Sequence, residues 1–202
     1  MDRKLHWEHV YTTKAEGEVS WYQHNPKVSI ELVRGFCPTH GRVIDVGGGA
    51  SRLVDRLLSE GFQRPAVLDV SQTAIERAKL RLKDRAGGVG WIVGDVTEIG
   101  ELGRFDLWHD RAVFHFLTDL PDRKKYVDLA ARTLPPNGHL IIATFALDGP
   151  ARCSGLDVCR YDARLMSAEL GSAFTLVKQL SETHLTPAGK PQQFFWGVFR
   201  RN

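Results

Sequence analysis

Cysteine is scarce in this chain, and the few cysteines present are unevenly spaced. They are Cys37, Cys153 and Cys159 in a chain of 202 residues. So few thiols at irregular spacing exclude a disulfide framework of the kind that stabilises small secreted domains. The spacing of Cys153 and Cys159 does not match that of a zinc site, and no third ligand is evident. We therefore predict no disulfide and no metal site.

The chain also lacks the features that mark membrane and nucleic-acid-binding proteins. No apolar stretch approaches the length that spans a bilayer, and residues 1–6 do not resemble the start of a signal peptide. No long basic run interleaved with aromatic residues appears, and the net charge is only +3. We expect a cytoplasmic protein whose partners include neither a membrane nor a nucleic acid.

The chain does have a regular alternation of short apolar runs and amphipathic segments between residues 42 and 144. Strands are predicted at 42–46, 65–70, 89–93, 105–109 and 139–144, and helices at 51–60, 72–82 and 122–133. This alternation predicts an α/β fold, with a parallel sheet covered by helices on both faces. The hydrophobic content of 43% is enough for the core of such a domain.

Beyond residue 144 the pattern changes from alternation to a hairpin. A helix is predicted at 163–170, and strands at 175–180 and 194–200 flank the turn Pro187-Ala188-Gly189. These strands predict a C-terminal antiparallel hairpin. No repeat or linker divides the chain, so residues 1–202 are expected to form a single domain. Residues 41–202 would be its catalytic core and residues 1–40 an N-terminal extension.

The most informative stretch is the run from Val43 to Gly49. It is a short apolar strand that contains one acid, Asp45, and is followed by three consecutive glycines. Glycines at such a turn let a ligand lie against the backbone. A dinucleotide-binding protein would have G-x-G-x-x-G, and Arg52 at the third glycine position argues against an NAD-dependent oxidoreductase. The D-x-G-x-G order of Asp45, Gly47 and Gly49 instead resembles motif I of class I methyltransferases, which bind S-adenosylmethionine (SAM).

The resemblance implies a Rossmann-like class I methyltransferase fold, with a mostly parallel seven-stranded sheet, and SAM as the cofactor. It assigns Asp45 to the amino group of the methionine part of SAM. It assigns the turn Gly47-Gly48-Gly49 to the close passage of that part along the backbone.

Two further acids follow predicted strands in the order that the resemblance requires. Asp69 comes about 20 residues after the first glycine, where a carboxylate accepts the ribose hydroxyls, and Val70 lies beside it. Asp95 and Val96 follow the third strand, where the family places an acid near the adenine amino group and an amide near a ring nitrogen. Taken singly, each acid is more often a turn or helix N-cap residue. Their order along the chain favours SAM.

The end of the fourth predicted strand carries the predicted catalytic residues. His109, Asp110 and Arg111 are expected at the mouth of the site, and His109 is also assigned to the cofactor. The Asp-Arg-Ala step here and the Arg-x-x-Tyr of Arg123 and Tyr126 resemble thiopurine S-methyltransferases and their bacterial relatives. That resemblance implies that Arg111 orients an anionic or heteroaromatic substrate.

Two of these residues have a structural alternative. Arg111 could instead form an ion pair with a neighbouring acid. His115, four residues after Arg111, could act as a general base, but a histidine among apolar residues is more often a buried core group.

The first 25 residues are rich in aromatic side chains, among them Trp7, Tyr11, Trp21 and Tyr22. They resemble the N-terminal segment of small methyltransferases near the citrate-synthase lysine methyltransferase group, which folds over the cofactor as a lid. Aromatic faces attract a sulfonium cation, and a lid excludes water from the transfer. We therefore assign Trp21 to the cofactor site. The alternative is a helix that simply packs on the sheet.

The function predicted from these features is SAM-dependent methyl transfer to a small-molecule acceptor, through sulfur or another soft atom. Two alternatives stay open. One is a protein lysine N-methyltransferase with a protein substrate, and the other is a non-catalytic SAM-binding regulatory or partner protein.

Overall fold

The main architectural feature is a mostly parallel sheet of seven strands, as predicted. A computed structural model describes residues 2–202. The sheet order is β3-β2-β1-β4-β5-β9-β8, and β6 and β7 form a separate small hairpin. The strands are β1 (Val43–Val46), β2 (Ala66–Asp69), β3 (Gly90–Val93), β4 (Leu107–Arg111), β5 (His139–Phe145), β6 (Arg152–Cys153), β7 (Leu156–Asp157), β8 (Phe174–Leu185) and β9 (Pro191–Arg201). Strands β1 to β5 are parallel, and β9 pairs antiparallel with both β5 and β8. The predicted fold class and its C-terminal hairpin are confirmed.

Helices cover both faces of this sheet. They are α1 (Arg3–Thr13), α2 (Lys27–Phe36), α3 (Leu53–Ser59), α4 (Gln72–Leu82), α5 (Leu120–Thr133) and α6 (Ala163–Leu170). On one face α5 and α6 pack against the sheet, and on the other α2, α3 and α4 do so. No helix among residues 2–202 is long and apolar enough to cross a membrane.

The central strands are apolar on both sides because both sides are covered. In β1, Ile44 and Val46 pack into the core under α5 and α6, whereas Val43 packs into the core under α2 and α3. The amphipathic helix α2 contributes Ile30 and Val33 to that second core. This double covering explains why the strand residues form short continuous apolar runs in the sequence.

One difference in strand position bears directly on the site. Strand four was expected at residues 105–109, but β4 begins two residues later, at Leu107, and ends at Arg111. Phe105 is buried, yet its amide donates to the carbonyl of Thr133 at the end of α5 and not to a neighbouring strand. His109 and Asp110 are therefore strand residues, and only Arg111 stands at the strand's end.

An N-terminal helix was considered only as the alternative to a lid, without bounds, and the β6–β7 hairpin was not predicted. Helix α1 begins after Asp2, whose side chain accepts a hydrogen bond from the amide of Leu5 and so caps the first turn. Helix α1 packs against α4, and Tyr11 and Trp7 contact Ala50 and Ala74 there. The N-terminal segment thus lies across the carboxyl ends of the first strands.

Candidate functional site

A cleft lies at the carboxyl ends of the parallel strands, where ligands of open α/β sheets bind. We call it the main cleft, and it encloses about 770 Å³ of empty space, part of it open to solvent. Its floor comes from strand ends and the loops after them, through Gly47, Asp69, Val70, Asp95, Val96 and Arg111.

A second cavity, which we call the side cleft, adjoins the main cleft. It is lined by Ser29, Asp45, Gly48 and His109, among others. Tyr11, Trp21, Gly47 and Arg111 line both cavities. An elongated ligand could therefore occupy both, with its middle beside these four residues.

The glycines after β1 are required by space and by backbone geometry. Gly47 has a φ of +67°, and a Cβ there would lie 2.0 Å from Cγ2 of Val113. A Cβ on Gly49 would lie 2.5 Å from Oδ2 of Asp69. The turn is thus packed against the loop after β4 on one side and against the carboxylate of Asp69 on the other. No side chain fits between the turn and these groups.

Asp69 ends β2 as a buried carboxylate beside the main cleft. Its Oδ1 accepts a hydrogen bond from the amide of Ser71 at 2.8 Å. Burial raises the pKa of Asp69 to about 7, and the charges of Asp45 and Glu8 add to this, while the amides of Ser71 and Val70 oppose it. A ligand that donates hydrogen bonds to this carboxyl would stabilise its ionised form.

Asp95, in the loop after β3, is held in its ionised form by its neighbours. Burial would raise the pKa of Asp95, but hydrogen bonds from the amide and hydroxyl of Thr97, together with the guanidinium of Arg3, lower it. The Arg3 nitrogen lies 2.8 Å from Asp95 Oδ2, and a second nitrogen of Arg3 pairs with Asp122. Arg3 therefore joins the N-terminal helix to this end of the cleft.

One face of α1 forms the cover of the main cleft. Arg3, Trp7 and Tyr11 all line it, and their spacing of four places them on the same side of the helix. Trp21 completes the cover, with ring centroids 5.6 Å from Trp7 and 6.2 Å from Tyr11. The predicted placement of Trp21 at the site agrees with this geometry.

Polar contacts fasten the cover to the core. The carboxylate of Glu8 accepts hydrogen bonds from the amides of Gln72 and Thr73 at the start of α4. Glu16 forms ion pairs with Arg52 and Arg81. Arg3, Glu8 and Glu16 were not predicted as site residues. For Arg3 the sequence does carry a signal, because its spacing from Trp7 and Tyr11 indicates one face of a helix.

His109 does not lie at the mouth of the site as expected. Its side chain is buried, with Nδ1 2.7 Å from Asp45 Oδ1 and Nε2 3.0 Å from the hydroxyl of Ser29. It lines the side cleft but not the main cleft. Its two ring nitrogens are thus both occupied by protein groups, because β4 extends further than predicted.

Asp110 requires a similar correction, because it faces the opposite side of the sheet from His109. It is fully buried and accepts hydrogen bonds from the amides of Val113 and Phe114 and from the hydroxyl of Tyr126, at 2.6 Å. Burial raises the pKa of Asp110 to about 6, against the opposing effect of these hydrogen bonds. Its role is to hold the loop after β4 and not to contact a substrate.

His115 is also a core residue and lines neither cleft among the described residues. It is fully buried, and burial together with the nearby charge of Arg111 lowers its pKa to about 3. Its Nδ1 lies 3.4 Å from the amide of Phe145. This placement fits the structural alternative considered for His115, a histidine buried in the core.

Arg111 lies at the end of β4, where both cavities meet. One guanidinium nitrogen, Nη1, donates to the carbonyl of Trp21 at 2.9 Å, and the guanidinium carbon lies 4.8 Å from the ring centroid of Phe194. Its Nε and Nη2 are buried and have no hydrogen-bond partner among the described residues. Burial lowers the pKa of Arg111 to about 10, so the group stays charged at neutral pH. Among residues 2–202, Arg111 does not form the ion pair considered for it.

The remaining motif residues have structural contacts. Arg123 pairs with Glu169 at 2.9 Å and donates to the carbonyls of Leu117 and Thr118.

The two cysteines after β5 differ in position. Cys153 lines the main cleft, whereas Cys159 does not. Burial raises the pKa of Cys153 to about 11, so its thiol is protonated at neutral pH.

Comparisons with known proteins give one family match and many structures of similar fold. A family model described as a methyltransferase domain matches residues 39–187. Among curated protein sequences, none matches the chain. Many solved structures are similar in fold.

Three of these structures illustrate the likeness. A protein from work on the conversion of a disulfide bond into a thioacetal group during echinomycin biosynthesis is 20% identical, with a TM-score of 0.80, covering 97% of this chain and 91% of its own. The N-methyltransferase NodS from Bradyrhizobium japonicum WM9, in complex with S-adenosylhomocysteine, is 19% identical, with a TM-score of 0.70 and 99% of both chains covered. The 1,6-didemethyltoxoflavin-N1-methyltransferase of Burkholderia thailandensis is 20% identical, with a TM-score of 0.72, covering 98% of this chain and 88% of its own.

At these identities the likeness establishes the fold. The finer resemblance to thiopurine S-methyltransferases stays a prediction, and the contacts of Arg123 and Tyr126 give those residues structural roles in this chain.

The glycine turn yields a direct test. Replacing Gly47 by alanine should destabilise the protein by about 1–3 kcal/mol, because the added Cβ meets Val113 in a backbone conformation that alanine disfavours. Urea unfolding measures this loss. The matched control is Gly35→Ala in α2, where a Cβ meets nothing within 4 Å, and helix propensity predicts a gain of about 0.5–1 kcal/mol. Equal effects of the two substitutions would contradict the packing argument.

Proposed function

The chain belongs to the methyltransferase-domain family of class I SAM-dependent enzymes, and on that premise we propose that it methylates a small molecule with an anionic or electron-rich polar group held by Arg111. The observation that supports this acceptor class is a buried guanidinium with two unpartnered nitrogens at the junction of the two cavities. A buried unpaired cation is unfavourable, and a substrate anion would relieve it.

The residues present fit SAM as the cofactor. Asp45 has a buried, unpartnered Oδ2, which suits an ammonium group at the side cleft. Asp69 and Asp95 would receive the ribose and adenine parts in the main cleft, and Val70 and Val96 line it beside them. Gly47, Gly48 and Gly49 leave room for the methionine part along the turn. These assignments are part of the proposal.

The chemistry follows from what this chain's residues can do. SAM, when bound, supplies an electrophilic methyl group on a sulfonium. Arg111 would hold the acceptor and favour its ionised, nucleophilic form, because a nearby cation lowers the pKa of an acid. Trp7, Tyr11 and Trp21 would exclude water and present aromatic faces to the cation. Holding the two reactants in line supplies much of the rate enhancement of such a transfer.

This arrangement favours a small acceptor over a lysine side chain. A buried arginine at the acceptor position would repel a lysine ammonium and raise the energy of bringing it close. Two of the similar structures are described as N-methyltransferases, one of them with bound 1,6-didemethyltoxoflavin. Those descriptions apply to those proteins, but they support the proposal that this fold accepts small molecules.

The proposal is tested by Arg111→Met. Purified protein is incubated with SAM and a panel of small thiols, phenols, carboxylates and heterocyclic amines, and release of S-adenosylhomocysteine is measured. The variant should lose at least tenfold in kcat/KM for the accepted compound, because a charged hydrogen bond to it contributes about 1.5–3 kcal/mol. S-adenosylhomocysteine affinity should stay unchanged. The melting temperature should change little, because removal of an unpaired buried charge offsets loss of the hydrogen bond to the carbonyl of Trp21.

The control for this test is Arg164→Met, the same change at an exposed position of α6. If Arg111→Met weakens S-adenosylhomocysteine but not 5′-methylthioadenosine, which lacks the amino acid part, Arg111 binds the cofactor's carboxylate and the acceptor role is wrong. If wild-type protein binds SAM but methylates no compound of the panel, the small-molecule assignment fails in favour of a protein substrate or a non-catalytic role.

The raised pKa of Asp69 predicts a pH dependence of binding. The carboxyl is largely protonated below about pH 7, and only its ionised form accepts both ribose hydroxyls. Affinity for 5′-methylthioadenosine should therefore increase as the pH rises through 7, by up to about tenfold per pH unit below the pKa. Isothermal titration calorimetry from pH 5.5 to 8.5 measures this. Asp69→Asn should bind more weakly with a flat profile, and a flat profile in the wild-type protein would remove Asp69 from the ribose site.

The N-terminal cover predicts slow ligand exchange. We propose that α1 acts as a lid held by the ion pairs of Arg3, so that Arg3→Met should speed the dissociation of S-adenosylhomocysteine about threefold to tenfold. Stopped-flow fluorescence of the nearby tryptophans measures the rate. Lys4→Met is the matched control, because Lys4 is exposed and forms no ion pair in the described part of the chain. Identical rates in the two variants would reduce α1 to a packing helix.

A further inference from the structure

Three buried side chains that line the side cleft form a hydrogen-bonded chain. His109 on β4 stands between Asp45 on β1 and Ser29 on α2, at 2.7 Å and 3.0 Å. All three are buried, with relative exposures of 3% or less. Asp45 and His109 are direct neighbours across the β1–β4 pairing, so the sheet register fixes their separation.

The chemistry of the three groups sets the direction of the hydrogen bonds. The carboxylate of Asp45 can only accept, so the proton lies on Nδ1 of His109. In a neutral imidazole Nε2 is then the acceptor, and the hydroxyl of Ser29 donates to it. Asp45 thus selects the tautomer, and the hydroxyl of Ser29 holds the imidazole at its other nitrogen, in the way that outer partners orient histidines in other polar sites.

The chain leaves one oxygen of Asp45 for another partner. Oδ1 is taken by His109, whereas Oδ2 is buried and has no hydrogen-bond partner among the described residues. Gly48 leaves room for this oxygen, since a Cβ there would lie 2.5 Å from it. Asp45 and Gly48 both line the side cleft. The unpartnered oxygen therefore lies at the position where the proposed function expects the amino group of SAM.

We propose that His109, itself oriented by Ser29, is a positioning residue that fixes the carboxylate of Asp45 for the amino group of SAM. This inference rests on the proposed function, and it gives His109 a role other than catalysis or direct cofactor contact. Without the histidine donor, the buried carboxylate could rotate, and Oδ2 would no longer be presented to a cation. The packing of His109 beside Trp196, with ring centroids 6.1 Å apart, limits other positions of the imidazole.

The test compares two ligands that differ in the amino acid part. S-adenosylhomocysteine carries the amino group, whereas 5′-methylthioadenosine lacks the amino acid part and keeps the ribose and adenine. His109→Leu should weaken S-adenosylhomocysteine about tenfold, as expected for one charged hydrogen bond, and leave 5′-methylthioadenosine unchanged. Calorimetry on both ligands gives the ratio.

Two further variants separate positioning from folding. His109→Asn keeps a donor near the place of Nδ1 and should restore most of the S-adenosylhomocysteine affinity. Ser29→Ala removes only the hydrogen bond that holds the imidazole at Nε2, so it should weaken S-adenosylhomocysteine less than His109→Leu does, again without effect on 5′-methylthioadenosine. If His109→Leu does not fold, Ser29→Ala still provides the comparison between the two ligands.

The outcomes distinguish this inference from the proposed function. Wild-type protein that binds neither ligand would refute the cofactor assignment itself. Wild-type protein that binds both, with variants that weaken both ligands in parallel, would make His109 a structural residue and overturn the positioning role. Variants that bind S-adenosylhomocysteine as tightly as wild type would overturn it as well.

Discussion

Charged groups removed from water at the strand ends are the constraint on which the rest of the site depends. Burying a carboxylate is unfavourable unless hydrogen bonds or an opposite charge compensate it. The four acids are stabilised by different contacts. Asp45 pairs with His109, and Asp95 pairs with Arg3. Asp69 accepts hydrogen bonds from backbone amides and has a raised pKa, and Asp110 accepts hydrogen bonds from Tyr126 and two amides. Asp45 keeps an oxygen without a hydrogen-bond partner among the described residues, and Asp69 lines the main cleft, so both have capacity left for a ligand. Asp110 is not among the residues that line either cleft.

The N-terminal segment follows from the same constraint. An open cleft would leave the strand-end carboxylates in water, whereas α1 covers them with Trp7 and Tyr11 and supplies the cation that Asp95 needs. Its attachment is polar and partly exposed, with Arg3 27% exposed at its side chain. Such contacts are weak individually, so the cover can both exclude water and open for exchange.

The alternation of strands and helices along the chain and the glycine turn could be predicted from the sequence, because both are local patterns. Helix α4 was located to the residue, whereas the order of the strands within the sheet was not predicted. What local pattern could not supply was pairing across long separations in the chain. Arg3 meets Asp95, and Ser29 meets His109, only because the fold brings distant segments together. The predicted division into a lid at 1–40 and a core at 41–202 also depends on such contacts and stays a prediction.

Strand β4 begins and ends two residues later than predicted, and this shows how much a site depends on where a strand ends. Side chains alternate across a sheet, so extending the strand to Arg111 sends His109 toward α2 and Asp110 toward α5. The last residue of the strand is then the one free to meet a ligand. Arg111 is accordingly the reverse of the compensated acids, because no opposite charge among residues 2–202 contacts its buried guanidinium. Under the function proposed above, an acceptor anion would complete this charge, and this connects the end of β4 to the choice of acceptor.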